Sequence, residues 1–327
     1  MGNFSGEDTK LQIAKETTWG SALVAPLIEL DMISEEFGEE MIVNTEETLV
    51  GKATAGRSDI MGKKVNGGFT ILVKPDNIGL LLACALGCES AAAAAEATST
   101  VYDHDFSLIT GSASTLPFFT AVIDKKTGVK GYMSNKVASI TFDLAKNDYL
   151  KSTVTTIGYS ETADSLADLE LSTLRAWNFN DLLVELDDTP INEIESLAIT
   201  LNNNLEDDLF VADGSAYMIE IDRQRREVTI DMDVLWNDDI EAIRTAKYKE
   251  AASTKFEAIF TGETAGASLK YTLTFKAEKC YYTADPIAKV GGPERLRGRL
   301  SLRAASIGTT EPLVVTLRDL SGDQHSA

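Results

Sequence analysis

The sequence predicts a mainly β protein, a β-sandwich or barrel with one flanking α-helix in each of two tandem domains. Short segments in which apolar and polar residues alternate recur along the whole chain, as half-buried strands require. Only two segments carry a clear helical spacing of apolar residues, and each of them directly follows a strand pattern. These two strand–helix units lie about half a chain apart in the 327 residues, which favours a duplicated domain.

The first strand–helix unit is Val65–Gly87. Apolar residues alternate up to Val73, and Pro75 then ends the strand because proline has no N–H to donate to the ladder. Asp76 stands where a helix N-cap is expected, and the apolar residues after it recur at helical spacing. Gly87 is placed to end the helix in the left-handed conformation.

The second unit is Val228–Tyr248. Its strand alternates in the same way, and Asp238 and Glu241 form a capping-box pattern that predicts where the helix begins. A chance order of strands in an all-β chain is the alternative to duplication.

The duplication divides the chain into two predicted domains. The first covers 1–165, with an N-terminal arm and a long loop at 44–64. The second covers 166–327, with a C-terminal strand and a tail.

Other segments support this pairing of the two halves. Trp177 is expected at the place of Trp19, and each tryptophan precedes an apolar–acidic strand, Leu27–Asp31 in the first half and Leu182–Asp187 in the second. The last strand, Leu313–Leu317, has no clear counterpart in the first half.

The loop Asn44–Lys64 shows little hydrophobic periodicity. A loop this long is either functional or disordered, so a flexible insertion is one interpretation. Its apolar residues are poorly suited to solvent, and we expect them in a contact between subunits. These residues are Leu49, Val50, Ile60 and Met61.

Two strand segments combine an apolar face with a polar one, as expected of half-solvated antiparallel strands. Asp231 and Asp233, beside Asp238 and Asp239, could also form a Ca²⁺ site, but a solvated acidic face is favoured. The polar residues are Ser139, Thr141 and Asp143 in one segment, and Thr229, Asp231 and Asp233 in the other.

Arginines cluster on one predicted strand near the C-terminus. In so acidic a chain they are suited to bind an acidic face of a neighbouring subunit. Ion pairs within the chain are the alternative. The cluster consists of Arg295, Arg297, Arg299 and Arg303.

The charge balance excludes several classes of partner. With 51 acidic and 30 basic residues the net charge is −21, which argues against binding DNA through its phosphates and against anionic membranes. Solubility, or a surface that lies close to DNA without binding it, accounts for such a charge. Three cysteines without a disulfide spacing and a polar, mixed-charge Met1–Lys15 are typical of a protein made in a reducing cytoplasm.

No pattern typical of an enzyme emerges, so we expect no catalytic residue, metal or cofactor. Of the two histidines, His104 is expected in a surface turn, where a weak metal site is the alternative. His325 is expected to be solvated in a polar tail. No phosphate-binding glycine loop or nucleophile elbow is present.

Over Lys15 to Gly87 the sequence resembles the tail tube proteins of long-tailed bacteriophages, the major tail protein family, in its two-domain form. The resemblance consists of a Lys-Glu-x-x-Trp-Gly opening, an Arg-Ser-Asp loop and a Pro-Asp helix start, in the same order and spacing. Alanine stands at position 14 where the family usually has glycine. The matching residues are Lys15, Glu16, Thr17, Trp19, Gly20, Ala22, Arg57, Ser58, Asp59, Pro75, Asp76, Gly79, Leu80, Leu81 and Leu82.

The resemblance implies a structural virion protein that assembles into stacked rings, the hollow tail tube through which DNA passes. A chain with two copies of the domain would form a trimeric, pseudo-hexameric ring; a hexamer is the alternative. Contacts between subunits or rings would involve Leu49, Val50, Arg57, Ile60, Met61, Arg295, Arg297 and Arg299. The lumen would be lined by Ser139, Thr141, Asp143, Thr229, Asp231 and Asp233, although the same faces could lie outside the ring.

The implied partners are further copies of the chain, a tape measure protein, and tail terminator and tip proteins. DNA would pass without specific binding, and no membrane is involved. The protein would be made in the host bacterial cytoplasm and reside in the virion tail. The inner tube of a contractile injection particle, a bacteriocin or a secretion system, is the alternative function.

Overall fold

The structure is a computed structural model. It describes residues 9–21, 24–25, 27–46, 56–96, 100–109, 115–266, 268–288, 290, 293 and 295–325. Strands make up 54% of the structure and helices 8%, which confirms the mainly β fold.

The elements of the first half include one α-helix. They are β1 (Leu11–Glu16), β2 (Ile28–Leu30), β3 (Met32–Glu35), β4 (Gly38–Thr45), β5 (Ser58–Leu72), α1 (Gly79–Leu86), β6 (Gly87–Glu89), β7 (Ala93–Ala94), β8 (Tyr102–Leu108), β9 (Phe118–Asp124), β10 (Val129–Ala145), β11 (Lys151–Gly158) and β12 (Ser160–Ala163).

The second half begins with a 3-10 turn at Phe179–Asp181, and its helix continues into a π-helical turn at Arg244–Tyr248. The other elements are β13 (Leu182–Leu186), β14 (Thr189–Pro190), β15 (Ile194–Asn202), β16 (Leu205–Glu206), β17 (Asp222–Arg223), β18 (Glu227–Leu235), α2 (Asp238–Ile243), β19 (Thr254–Gly266), β20 (Leu269–Tyr282), β21 (Arg297–Ala304) and β22 (Val314–Asp319).

The strands pair in the same order in both halves. In the first half, antiparallel ladders run β2–β1–β9–β10, with β12 also on β10, and continue from β10 through β11 and β5 to β4. In the second half they run β14–β13–β19–β20, with β22 also on β20, and continue from β20 through β21 and β18 to β15. Strand β5 precedes α1 and strand β18 precedes α2, and the two strands have the same position in the pairing order of their halves.

Two ladders join the halves. Strand β10 pairs with β15 over Ser139–Ala145, and β22 pairs with β8 over its whole length. One buried apolar cluster extends across the junction, where the rings of Phe142 and Phe275 lie 4.7 Å apart. The halves therefore share one sheet and one core.

The pairing order corrects three of the expected correspondences. By its partners, β13 takes the place of β1, so Leu182–Asp187 does not match Leu27–Asp31. Trp19 follows β1 whereas Trp177 precedes β13, so the match of the two tryptophans is wrong. Strand β22 pairs with β20 as β12 pairs with β10, which gives the last strand the counterpart that the sequence did not show.

The start of α1 differs from the expectation. The N-cap is Ile78, which makes no side-chain cap hydrogen bond, and Asp76 is exposed in the turn before it. The buried Asn77 organises that turn instead, because its side-chain oxygen accepts a hydrogen bond from the backbone N–H of Lys74 at 2.9 Å. All eight residues of the helix are buried, so packing rather than a cap fixes its position.

The C-terminus of α1 and the N-terminus of α2 lie close to the predicted positions. Gly87 ends α1 with φ of 90°, as predicted. At the start of α2 the cap is Asn237, whose side chain accepts a hydrogen bond from the N–H of Ile240 at 2.9 Å. The predicted helix therefore exists, but its N-cap is Asn237 and not Asp238, so the predicted capping box of Asp238 and Glu241 begins one residue too late.

Candidate functional site

A buried carboxylate anchors the segment that carries the Lys-Glu-x-x-Trp-Gly pattern. Glu16, at the end of β1, is 3% exposed and accepts hydrogen bonds from the Thr120 hydroxyl at 2.6 Å and from the backbone N–H of Ser134 at 2.7 Å. The Thr120 hydroxyl also accepts a hydrogen bond from the backbone N–H of Val24 at 3.1 Å. The Ser134 hydroxyl, which donates to Glu16 as well, accepts one from the backbone N–H of Gly20 at 2.9 Å. Glu16 thus holds the loop after β1 against β9 and β10.

Trp19 and Gly20 pack on aromatic side chains of the same region. The Trp19 ring meets Phe118 and Tyr159 edge-on, with centroids 5.5 and 6.0 Å away. Gly20 has φ of 62°, and a Cβ there would lie 3.0 Å from the Tyr159 ring. The buried Lys136 ammonium lies 5.1 Å above the Trp19 ring. The pattern therefore marks a rigid packing unit.

The described part of the 44–64 loop is not irregular. Strand β4 and the first residues of β5 form a two-stranded ribbon, paired from Gly38 with Asn66 to Thr45 with Ser58. Of the expected contact residues, Ile60 and Met61 are 47% and 56% exposed on it. Leu49 and Val50 lie outside the described residues.

The ribbon exposes more apolar surface than the sequence indicated. Met41, Ile42 and Val43 on β4 are 49%, 39% and 55% exposed, on both faces of the ribbon. Arg57 forms an exposed ion pair with Asp59 at 2.7 Å. Among the described strands, β4 pairs only with β5, so its other edge offers free backbone N–H and C=O groups.

The base of the ribbon rests on the second half of the chain. The backbone N–H of Lys63 donates to the carbonyl of Ala216 at 2.7 Å, and Lys64 pairs with Asp207 at 2.5 Å. The Phe210 ring covers Gly62, where a Cβ would lie 2.9 Å from it. The segment around 207–217 therefore supports the base of the ribbon.

The six polar residues named as lumen candidates lie on one face of one sheet. Thr141 is opposite Thr200, which is opposite Thr229, and on the other side Thr141 is opposite Thr153. A row of threonines thus crosses the sheet, with a hydroxyl contact of 3.0 Å between Thr141 and Thr200. The other face of these strands is the apolar core. The structure brings together Ser139, Thr141, Asp143, Thr229, Asp231 and Asp233.

The arginine cluster lies on that same polar face. Arg299 is opposite Asp233 on β18, and Arg303 is opposite Thr229. Arg299 pairs with Asp231 at 3.2 Å, and Arg303 pairs with Glu227 at 3.0 Å. The polar face therefore carries both signs of charge near β21.

A third pair completes the cluster. Arg297 pairs with Glu195 at 2.6 Å, and hydrogen bonds from Arg297 and Lys146 hold the pKa of the Glu195 carboxyl below its usual value. Ion pairs within the chain were the alternative to a contact with a neighbouring subunit, and the structure contains them. Arg295 is exposed beside these pairs. Contacts of these arginines with another subunit stay a prediction.

Both histidine expectations were wrong. His104 lies on β8 and is fully buried, and His325 has a side chain that is 12% exposed, with its ring centroid 4.6 Å from that of His104. Period-two alternation in Tyr102–Leu108 was the signal for this strand, since His104, Phe106 and Leu108 all point inward.

Within the described residues, a free strand edge, a ribbon with exposed apolar side chains and a broad polar sheet face are typical of a β-rich structural protein that associates with other chains. The sequence matches the family model of phage tail tube proteins over residues 6–306, and the chain belongs to this family. Membership implies a structural component of the virion tail that assembles with itself into a tube.

A comparison with curated proteins finds no significant match. Within the described residues, neither helix has the length and apolar character that a membrane-spanning helix requires.

Proposed function

We propose that this chain assembles into rings of three copies, and that the rings stack into the tube through which phage DNA passes. The observation that carries the proposal is the repeated order of strand pairing. Each half contributes the same series of four strands to one sheet, β4–β5–β11–β10 and β15–β18–β21–β20. Two such units per chain, at 1–165 and 166–327, give three chains the pseudo-sixfold symmetry of a ring.

The contact between the two halves of one chain indicates how neighbouring chains would join. Within the chain, the last strand of the first series, β10, pairs with the first strand of the second, β15. The equivalent contact between chains joins the end of the second series to the first strand, β4, of the next chain. Repeating one interface in this way closes a ring and leaves no free edge.

The end of the second series differs from that of the first, because β20 stops at Tyr282 and leaves part of the β21 edge open, so we place β4 of the next chain there. Strand β4 has no partner on its outer side among the described strands. Strand β20 covers only Leu302–Ala304 of the β21 edge. One further hydrogen bond runs from the backbone N–H of Thr283 to the Ser301 carbonyl, at 2.9 Å. The equivalent strand β11 is instead paired with β10 along Lys151–Ile157. A neighbouring chain therefore has an open edge to extend.

The exposed ribbon supports stacking or lateral contact. An isolated two-stranded ribbon is marginally stable, and the apolar side chains of Met41, Val43 and Ile60 would be covered in an assembly. The contact residues Leu49, Val50, Arg57, Ile60 and Met61 belong to this proposal, as do Arg295, Arg297 and Arg299 on the side of the β21 edge.

The polar sheet face is the proposed lining of the lumen. Its threonine row and its carboxylates at Asp143 and Asp233 offer hydrogen bonding without unpaired cations, so a DNA phosphate gains little by binding. The arginines nearest to it are paired with carboxylates. A tape measure protein inside the tube and terminator and tip proteins at its ends complete the proposed set of partners.

Native mass spectrometry combined with negative-stain microscopy tests the proposal. The purified chain at rising concentration should form closed particles of three chains, and then tubes of uniform bore. A chain that stays monomeric at high concentration contradicts ring formation, and a six-chain ring contradicts the duplicated arrangement.

A further inference from the structure

Two histidines and a carboxylate from separate parts of the chain converge beside helix α1. Glu89 ends β6, His104 lies on β8, and His325 lies in the C-terminal tail. One donor atom from each lies within 4.8 Å of the other two. The Glu89 and His104 side chains are fully buried, and the His325 side chain is 12% exposed. The three groups are therefore removed from bulk water.

The surroundings of His104 require a positive charge next to its Nδ1. Its Nε2 lies 2.9 Å from the backbone carbonyl of Ser321, which only accepts, so Nε2 carries hydrogen. Its Nδ1 lies 3.1 Å from Oε1 of Glu89, which as a carboxylate also only accepts. A lone pair of Nδ1 facing this oxygen would be repulsive, so either a proton or a metal ion lies between them.

His325 meets the same carboxylate. Its backbone N–H donates to Oε1 of Glu89 at 2.9 Å, which fixes the tail over the site. Its ring Nε2 lies 2.9 Å from Oδ2 of Asp319 but is not aligned as a hydrogen bond. Close nitrogen–oxygen contacts without hydrogen-bond alignment are expected where lone pairs converge on a shared cation.

The charge of the site agrees with a divalent ion. Glu89 and Asp319 bring two carboxylates into surroundings where their side chains are 0% and 5% exposed. A divalent cation would balance these two negative charges. Two imidazoles and one carboxylate are a ligand set that Zn²⁺ takes in proteins.

We propose that Glu89, His104 and His325 bind a divalent transition-metal ion of the Zn²⁺ type. The Ser321 carbonyl orients the His104 ring by accepting its other N–H, as outer partners of metal-bound histidines do. Asp319 lies beside both rings and sets their orientation. The bound ion ties the C-terminal tail to β6 and β8 and so links the end of the second half to the first half.

A proton is the competing occupant. Burial disfavours the charged imidazolium, but hydrogen bonds with Asp319, Glu89 and Ser321 outweigh it and raise the pKa of His104 to about 10. The test must therefore detect the metal itself.

The test uses the full chain, stripped with a chelator and then titrated with Zn²⁺ or Co²⁺. The proposal expects one ion per chain by elemental analysis, visible Co²⁺ absorption bands and a higher melting temperature with metal. His325→Ala should weaken metal affinity about tenfold or more while leaving the circular dichroism spectrum unchanged, since the tail is peripheral. Glu89→Gln should have the same effect on affinity.

The matched control is Glu257→Gln, which changes the other carboxylate cluster, Glu185, Asp188 and Glu257. That cluster already holds the Lys255 ammonium, so its variant should leave metal binding unchanged. A wild-type chain that binds no Zn²⁺ or Co²⁺ at micromolar concentration overturns the proposal and assigns the position to the proton. Equal metal binding by wild type and His325→Ala also overturns it.

Discussion

Glu16 accepts two hydrogen bonds from Ser134, one from its backbone N–H and one from its hydroxyl, both at 2.7 Å. Ser134 has φ of 54° and lies at an irregularity of β10, where the pairing with β9 shifts between Tyr132 and Asn135. Beyond Asn135, β10 leaves β9 and pairs with β11 and β15. The carboxylate therefore stabilises the bend at which one strand passes between two parts of the sheet.

Replacing this carboxylate should destabilise the monomer. Glu16→Ala leaves the Ser134 and Thr120 donors unsatisfied in a buried site, and we expect a loss of about 3 kcal/mol in the free energy of unfolding, measured by urea denaturation. Thr17→Ala, at the exposed neighbouring position, is the control and should change it by less than about 0.5 kcal/mol. Equal effects of the two changes would mean that the hydrogen bonds of Glu16 contribute nothing specific.

A charge on the ribbon should block assembly without unfolding the chain. Val43→Lys places an ammonium group on an exposed apolar residue of the free β4 edge, which would be buried in a subunit contact. Sedimentation should show monomers where wild type forms tubes, with unchanged thermal unfolding. Leu171→Lys, at a similarly exposed leucine outside the sheet, should still assemble. Tubes formed by Val43→Lys would exclude the ribbon from the contact.

Only one of the three thiols should react in the native monomer. Burial raises the pKa of Cys84 and of Cys280 to about 12, so neither forms a reactive thiolate at pH 8, whereas Cys88 is exposed. A chromogenic disulfide reagent should titrate one thiol per native chain and three in guanidinium. The native reaction should disappear in Cys88→Ser. Rapid reaction of a second thiol would show that the core around that thiol opens readily.

Reversing charges on the proposed lumen face should impair DNA passage. In Asp143→Lys with Asp233→Lys, cations without carboxylate partners would retain DNA phosphates. We expect tails of normal length and a lower infectious titre when the variant chain replaces the wild type in phage particles. Asp168→Lys with Glu170→Lys, on exposed residues between the halves, makes the same charge change and should leave the titre unchanged. An equal titre for both variants would place this sheet face outside the tube.

The sequence predicted the strands and helices whose signals are local. Alternating residues around Phe69 and Ile230 identified the central strands, and Gly87 identified the end of α1. The helix starts were missed by two residues and by one residue, because Asn77 and Asn237 compete with the neighbouring aspartates as polar partners of the backbone. Propensity alone does not decide between such neighbours.

The buried histidine cluster could not be predicted from local pattern. His104 and His325 are far apart in the chain, and only the pairing of β8 with β22 brings the tail to His104. Similarly, the pairing of Arg297 with Glu195 depends on the register of β15, β18 and β21. The register of two paired strands depends on which face of each strand is buried, so it can be assigned only when the whole sheet is known.

A cryo-EM reconstruction of the assembled tube would show how many chains form a ring and what β4 contacts. We expect three chains per ring, with β4 of each chain lying against the open part of the β21 edge of its neighbour, where it extends the second series as β15 extends the first within the chain. Six chains per ring, or a β4 edge that contacts no other chain, would contradict it.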